Sequence, residues 1–337
     1  MNLRRTAALA LAGALSFCTA SAMTTSAMSA GRLTLGTNPQ GSIYYTIGGG
    51  IAAALQDKLA RQVTVQPFTG SSVYLPLISA GEVNMGLNSS LDLGGARRGE
   101  NGKPLENLRV LARIWPLKVA FVTRASEGLT KVSDLKGKRV VTDFSAMAAM
   151  SKFNKMMLEL SGVKAEDVTP VTTAGLGPGM AQLTEDSLDA TSVAVGIPLT
   201  QQAQASIPGG IRYLSIEGAD ATSAKADELY PGMYLVEVKP SKRLPEVTEP
   251  VTVGGFDVFL TVSADMSDED ASTIIAAFYD ALPQLKKDYP PLGAASQEKL
   301  SAPSNTVPYH PAAVSFYKSK GMWSNENAAR DAALTKN

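Results

Sequence analysis

Short β-rich runs alternate with helical runs along this 337-residue chain, and this order constrains the fold more than any other feature. Arg32–Thr37 alternates apolar and polar residues as a half-buried strand does, and the helical run Tyr45–Leu59 follows it. Val63–Phe68 is the next predicted strand, and a short helix over residues 73–81 leads to a third strand, Val83–Asn88. Strands that alternate with helices in this way predict a parallel α/β sheet.

A second α/β series follows the first, and extended segments connect the two. Leu108–Trp115 and Lys118–Arg124 are predicted as neighbouring strands that are separated only by Pro116 and Leu117, and they lead out of the first series. Val251–Ser263 is a long apolar strand that leads back. The second series lies between these segments. A helix is predicted at residues 148–160, and strands are predicted at residues 139–143, 168–171, 190–195, 211–216 and 235–240.

This order predicts an α/β protein of two lobes with a ligand cleft between them. Two crossing hinge strands would join the lobes, residues 118–124 outward and 251–262 back. We expect lobe I to contain residues 31–120 together with 262–337, and lobe II to contain residues 121–261. The C-terminal part is helical and is expected to return to lobe I.

The first residues have the three parts of a secretory signal peptide. Arg4 and Arg5 precede an apolar run over residues 7–17, which is shorter than the roughly 20 residues that a membrane-spanning helix needs. The small residues that end at Ala22 fit a cleavage site, so residues 1–22 are the predicted signal peptide. Cleavage as late as residue 30, or a lipid anchor on Cys18, are the alternatives. The mature chain is therefore expected to be a soluble, exported protein of the periplasm.

Composition excludes several kinds of chemistry. Cys18 is the only cysteine and lies within the predicted signal, so the mature chain would have neither a disulfide nor a thiol. His310 is the only histidine, which excludes zinc motifs with two histidines and disfavours a Ser-His-Asp triad. Without Arg4 and Arg5 the chain has 29 basic and 31 acidic side chains and no basic cluster. We therefore expect no catalytic residues, no metal, no cofactor and no nucleic-acid partner, and we expect a monomer.

The glycine-rich stretch GTNPQGSIYYTIGGGIAAAL, residues 36–55, could form a nucleotide loop or the rim of a cleft. Gly36 and Gly41 have the spacing of a phosphate-binding loop, but Ser42 stands where its lysine is required. Asn38 replaces the second glycine of the dinucleotide fingerprint. The stretch is therefore interpreted as the rim of a small-molecule cleft.

Small polar residues follow the predicted strands in both series. They lie at residues 38–45, 69–72 and 88–90 in the first series and at 143–148, 174–180 and 195–198 in the second. Ligands of open α/β sheets bind outside the carboxyl ends of the strands, next to helix N-termini whose free N–H groups favour anions. The sequence therefore predicts a cleft for a small molecule, with a carboxylate as the expected ligand group.

Four segments resemble one family, the TAXI-type solute receptors of tripartite ATP-independent periplasmic (TRAP) transporters. They are the glycine-rich stretch above, TGSSVYLPLISAGEVNMGLNSS, LTKVSDLKGKRVVT and YHPAAVSFYKSKGMW, and the resemblance spans residues 32–323. It implies the fold of type II periplasmic binding proteins. It also implies a small organic acid or amino acid as ligand and delivery to a separate membrane permease driven by an ion gradient. The alternative is a ligand-sensing subunit of a periplasmic signalling system.

The resemblance also points to ligand-facing residues. It places Ser42, Tyr44 and Tyr45 on the family's ligand-facing loop. Ser145 and Met147 lie where the family has a more polar helix start, which disfavours a glutamate-like ligand and favours a less polar acid. The complete set of candidate ligand-binding residues is Asn38, Gln40, Ser42, Tyr44, Tyr45, Ser71, Ser72, Asn88, Ser89, Trp115, Lys118, Ser145, Met147, Gly196 and Asp257.

Two charged residues lie on the predicted hinge strands. Lys118 begins the outward strand and Asp257 interrupts the apolar return strand. They are expected either to pair with each other at the hinge or to bind a carboxylate and an ammonium group of the ligand. Trp115, just before Lys118, is expected either in the core or on the wall of the cleft.

Overall fold

The computed structural model describes residues 31–100 and 102–336. The predicted signal peptide, its cleavage sites and Cys18 lie outside the described residues. No helix in the described ranges is both long and apolar enough to cross a membrane.

Strands and α-helices alternate in the described residues. Their order and bounds are β1 (Leu33–Thr37), α1 (Ile43–Leu59), β2 (Val63–Pro67), α2 (Ser71–Ser79), β3 (Met85–Ser89), α3 (Ser90–Arg97), β4 (Leu108–Arg124), β5 (Arg139–Phe144), α4 (Ala148–Leu160), β6 (Thr169–Thr173), α5 (Leu176–Thr184), β7 (Thr191–Ala194), α6 (Pro198–Ser206), β8 (Ile211–Tyr213), α7 (Ser223–Leu229), β9 (Met233–Val238), β10 (Val251–Ser263), α8 (Asp268–Asp288), α9 (Pro311–Ser319) and α10 (Asn325–Thr335).

Two long antiparallel strands, β4 and β10, run through both halves of the molecule. In one half, β3 pairs with β10, and β1 lies between β2 and β3 in parallel. In the other half, β9 pairs with β10, β7 and β8 pair with β4, and β5 pairs with β6 in parallel. Lobe I therefore contains β1–β3 and α1–α3, and lobe II contains β5–β9 and α4–α7. The predicted α/β fold of two lobes joined by crossing strands is confirmed, while the exact residues at which the lobes meet stay a prediction.

The outward segment is one strand, so the prediction of two strands separated by Pro116 and Leu117 is wrong. β4 continues for 17 residues from Leu108 to Arg124. Pro116 lies opposite Asp257 of β10, and β7 pairs with β4 only from Val119 onward. Pro116 therefore lies where β4 has a strand on one side, and a proline can be accommodated at such an edge.

Side-chain caps begin several of the helices. Ser42 Oγ accepts a hydrogen bond from the Tyr45 amide at α1, and Ser267 Oγ accepts one from Asp270 at α8. His310 is buried and caps α9, with Nδ1 accepting from the Ala312 amide at 3.3 Å. Each cap satisfies a backbone N–H that the first turn of a helix leaves free. The only histidine therefore has a structural position.

The glycine triplet lies in the middle of α1. Gly48 faces the sheet, where a Cβ would come within 2.6 Å of the Thr37 methyl group. Gly50 lies against the ring of Tyr289, whereas a Cβ on Gly49 would meet nothing within 4 Å. Two of the three glycines therefore allow α1 to pack closely against its neighbours. Close packing of a helix, and not nucleotide binding, explains why glycines occur here.

A buried ion pair holds the two crossing strands together. Arg113 of β4 donates to the Asp257 carboxylate of β10 at 2.7 Å. The Tyr234 hydroxyl from β9 and the Ser304 hydroxyl also donate to Asp257, at 3.2 and 2.5 Å. Burial alone would lower the pKa of Arg113, but the hydrogen bond and charge of Asp257 outweigh it and raise that pKa. Asp257 thus joins three strands and the segment before α9.

The expected pairing of Lys118 with Asp257 is wrong. The register of the two strands places Lys118 opposite Gly255 and places Pro116 opposite Asp257. The side chain that contacts Asp257 from β4 is the guanidinium of Arg113 and not the amine of Lys118.

Substitution of the α1 glycines should have opposite effects at two adjacent positions. Gly49→Ala should raise the free energy of unfolding by about 0.5–1 kcal/mol, because alanine has the higher helix propensity and meets no neighbour. Gly48→Ala should lower it by about 1–3 kcal/mol, because the methyl group overpacks against Thr37. Urea denaturation measures both, and equal effects at the two positions would contradict the packing.

Loss of the buried ion pair should destabilise the protein strongly. Asp257→Asn should lower the free energy of unfolding by about 3–5 kcal/mol, because it leaves the Arg113 guanidinium buried without a counter-charge. The matched control is Asp143→Asn, which breaks an exposed pair with Lys155 of the same 2.7 Å length and should cost about 0–1 kcal/mol. Chemical denaturation of both variants measures this. Equal losses in the free energy of unfolding would show that the buried pair of Arg113 with Asp257 contributes no more than an exposed pair.

Candidate functional site

A cavity lies between the lobes where the N-termini of six helices, α1 to α6, converge. It encloses an empty volume of ≈ 590 Å³, part of which is open to solvent. The hinge strands provide its floor through Leu117, Val119 and Phe256. The remaining lining residues are Asn38, Ser42, Ile43, Tyr44, Ser71, Ser89, Leu91, Asp92, Met147, Ala149, Met150, Leu176, Ala194 and Ile197.

Six of the residues predicted from the sequence line this cavity. They lie at the starts of four helices or just before them, and their helix positions explain why they converge. Ser42 and Ser89 are the N-caps of α1 and α3, and Ser71 is the first residue of α2. The complete group is Asn38, Ser42, Tyr44, Ser71, Ser89 and Met147.

Five predicted residues lie on loops or helix starts outside the lining. Gln40 donates to the Tyr45 hydroxyl at 3.4 Å, away from the cavity. Ser72 lies one residue beyond Ser71 on α2, and Ser145 lines an exposed groove on lobe II. The amide of Gly196 donates to the Tyr213 hydroxyl at 3.2 Å, within lobe II.

The other four predicted residues lie behind the cavity or at the hinge. Asn88 is completely buried, and its side-chain oxygen and nitrogen have no hydrogen-bond partner among the described residues. Trp115 is buried and packs edge-on against Tyr44, with 5.6 Å between the ring centres, so it supports a cavity residue from behind. Lys118 does not line the cavity, and Asp257 is bonded to Arg113.

Asp92 lines the cavity and was not predicted from the sequence. Asp92 Oδ2 accepts a hydrogen bond from Ser89 Oγ at 2.6 Å. The backbone amide of Asp92 donates a hydrogen bond to Ser89 Oγ at 2.9 Å. The signal that could have identified it is Ser-x-x-Asp over residues 89–92, the pattern of a capping box. That pattern alone indicates a helix start and not a cavity.

Asp92 is half-buried in the wall of the cavity. Burial raises the pKa of this carboxyl group above its ordinary value, and hydrogen bonds from Ser89 and Ser71 counteract the rise only in part. Burial, with a smaller effect of Asp92, also raises the pKa of the Tyr44 phenol well above its ordinary value. Tyr44 is therefore uncharged at neutral pH.

The two lobes contribute different chemistry to the cavity. Every lining residue with a polar side chain belongs to lobe I: Asn38, Ser42, Tyr44, Ser71, Ser89 and Asp92. Lobe II contributes apolar side chains, namely Met147, Ala149, Met150, Leu176, Ala194 and Ile197. A ligand between the lobes would therefore have its polar groups on lobe I and its apolar surface on lobe II.

The lobes contact each other around the cavity. A Cβ on Gly70, at the start of α2, would overlap the carbonyl oxygen of Ala146 in lobe II. Lys152 of α4 in lobe II forms an ion pair with Glu100 of lobe I at 3.1 Å. Ser90 Oγ donates to the Gly232 carbonyl at 3.3 Å. These contacts hold the lobes in a closed arrangement.

Several solved structures share this fold and contain a bound small molecule. The MatC protein of Rhodopseudomonas palustris with bound malate is 14% identical, over 90% of this chain and 99% of that chain, with a TM-score of 0.56. The alkanesulfonate-binding protein SsuA of Xanthomonas axonopodis pv. citri bound to MOPS is 13% identical, over 89% and 97%, with a TM-score of 0.52. A Prochlorococcus marinus protein in complex with methylphosphonate is 10% identical, over 87% and 99%, with a TM-score of 0.51. At these identities the likeness shows the fold.

Residues 35–321, which extend from β1 to just beyond the end of α9, match the model of one sequence family. The match covers both lobes, both hinge strands and all lining residues of the cavity. The chain belongs to the NMT1-like family.

Proposed function

We propose that this protein is a solute-binding protein that captures a small molecule between its lobes and presents it to a membrane transporter. The observation that carries the proposal is the cavity at the six helix N-termini. It lies between two lobes that, in the part of the chain that the structure describes, are connected by the strands β4 and β10. The fold shared with proteins solved with malate, MOPS and methylphosphonate supports it.

The geometry supports binding and not catalysis. The lining serines have structural positions, since Ser42 and Ser89 cap helices and Ser89 donates to Asp92. Histidine, cysteine and lysine do not occur among the described lining residues. A nucleophile needs a neighbouring base that is oriented by a third group, and the lining side chains form no such set.

Binding would proceed through closure of the lobes. Lobe I carries the polar side chains, so it is the surface on which a ligand first forms hydrogen bonds. Lobe II then covers the apolar part of the ligand and forms the contacts of Gly70 with Ala146 and of Glu100 with Lys152. A ligand that contacts both lobes stabilises this closed state over an open one.

The transporter in this proposal is a TRAP-type permease driven by an ion gradient. The resemblance of residues 32–323 to TAXI-type receptors supports this choice and a small organic acid or amino acid as ligand. A cavity lined by apolar side chains with a few polar groups is typical of sites for a small ligand of this kind. Export to the periplasm, for which the predicted signal peptide argues, and a monomeric state belong to the same proposal.

A thermal-shift screen against amino acids, dicarboxylates, 2-oxo acids and aromatic acids should identify at least one ligand. A ligand that binds only the folded protein should stabilise it by about 2.7 kcal/mol at a hundredfold excess over its dissociation constant. The bound compound should be recovered unchanged by mass spectrometry. Turnover of that compound would contradict the assignment as a receptor.

Closure should depend on the missing side chain at Gly70. Gly70→Ala should weaken binding of the compound found in the screen at least about tenfold, because its methyl group overlaps the Ala146 carbonyl and keeps the lobes apart. The φ of Gly70 is 177°, an extended value that alanine adopts freely, so the variant should fold normally.

The matched control for this variant is Gly175→Ala. Gly175 is also an extended residue just before a helix, α5, but a Cβ there meets nothing within 4 Å. By calorimetry, Gly175→Ala should bind the compound with the same affinity as the original protein. Small-angle scattering should show an expanded ligand-bound state for Gly70→Ala and not for Gly175→Ala. Equal affinity of all three proteins would contradict the closure contact.

A further inference from the structure

The cavity contains one side chain with a formal charge among the residues described, and that charge is negative. Of the described residues that line the cavity, Asp92 is the only acidic one, and none is a lysine, an arginine or a histidine. Among the basic residues at the hinge and at the lobe contacts, Arg113 pairs with Asp257 and Lys152 pairs with Glu100. Lys118 lies on β4 between the lining residues Leu117 and Val119 but does not itself line the cavity. Within residues 31–100 and 102–336, no basic side chain forms an ion pair with Asp92.

The partners that Asp92 does have are uncharged. Ser89 donates its hydroxyl to Oδ2 at 2.6 Å, and hydrogen bonds from Ser71 and from the Ser89 amide also stabilise the ionised carboxylate. Burial nevertheless outweighs these hydrogen bonds, so the free protein holds a carboxyl group in an unfavourable environment. A positively charged group in the cavity would remove that deficit.

The helix N-termini do not change this conclusion. Six of them face the cavity and favour negative charge, which alone would indicate an anionic ligand. Asp92, however, lies in the first turn of α3 and already places a carboxylate in that field. A second carboxylate next to it, with no basic side chain to separate the two, would be repelled unless the same ligand also carries a positive group.

We propose that the cavity recognises a protonated amine joined to an apolar body, with the Asp92 carboxylate as the partner of the amine. The apolar body would lie against Met147, Met150 and Leu176 of lobe II. The inference rests on the proposed receptor function and narrows its ligand class. Of the organic acids and amino acids named there, it selects compounds that carry an amine and excludes acids that lack one.

Matched sets of compounds separate the two ligand groups. L-Leucine, isopentylamine and 4-methylpentanoate share one apolar body and differ in whether they carry an amine, a carboxylate or both. L-Phenylalanine, phenethylamine and 3-phenylpropanoate form a second set with a larger body. Thermal shift followed by calorimetry should show binding of amine-bearing members and none of the two acids.

Asp92→Asn tests the role of the carboxylate directly. It should weaken binding of the tightest amine-bearing compound by about 10- to 150-fold, the range for a hydrogen bond to a charged group. The control is Asp270→Asn, which removes the carboxylate at the same first-turn position of α8, three residues after the capping Ser267, where it pairs with Arg61. That variant should bind with unchanged affinity, and equal losses in the two variants would assign the effect to general destabilisation and not to the counter-charge.

The outcomes distinguish the two proposals. Binding of 4-methylpentanoate or 3-phenylpropanoate as tightly as the amine-bearing members would overturn the amine assignment and leave the receptor function standing. An affinity for the amine that Asp92→Asn does not change would overturn it as well. If neither these sets nor the broader screen of amino acids and acids gives any ligand, both proposals fail.

Discussion

The pairing of β4 with β10 is the interaction on which the other parts of the structure depend. β10 pairs with β3 of lobe I along one half and with β9 of lobe II along the other, and β4 pairs with β10 throughout and with β7 and β8 of lobe II along its second half. A single strand pair therefore sets the relative position of both lobes. The buried pair of Arg113 with Asp257 lies within it and connects it to β9 and to Ser304. Because a buried charge is costly without its partner, this pair holds the strands in one register.

The hinge also explains how the cavity is built. Leu117, Val119 and Phe256 of the two strands form its floor, and each lobe adds the N-termini of three helices. The carboxyl ends of the parallel strands in each lobe lead into these helices, which is why six chain segments that are distant in sequence meet at one place. The result is a small space with polar groups on one wall and apolar groups on the other.

The unequal walls suggest a division of work between the lobes. Hydrogen bonds depend on direction, so the polar groups of lobe I can select and orient a ligand before the lobes close. Contacts with the apolar side chains of lobe II depend mainly on buried area, so they add to the stability of the closed state without requiring further orientation. The lobes can close until the backbones of Gly70 and Ala146 touch, because Gly70 has no side chain to keep them apart.

Much of the fold could be predicted because its signals are local. The strand Val251–Ser263 and the helix Ala148–Leu160 were predicted with their observed bounds, since hydrophobic periodicity and turn residues depend on near neighbours. The same local signals wrongly predicted a break in β4 at Pro116. Whether a strand can contain a proline depends on which strands pair beside it, and the sequence of the strand itself does not show that.

The site depended more on tertiary structure. Asn38, Ser42, Tyr44, Ser71, Ser89 and Met147 were found because they follow strands or resemble a known loop, which sequence shows directly. Asp92 was missed because its pattern describes a helix cap, and only the packing of α3 beside lobe II places that carboxylate in a cavity without a basic side chain. The sequence thus specified the elements, the caps and the class of fold. The partner of Asp257 and the charge of the cavity followed from strand register and lobe packing, which bring together residues more than a hundred positions apart.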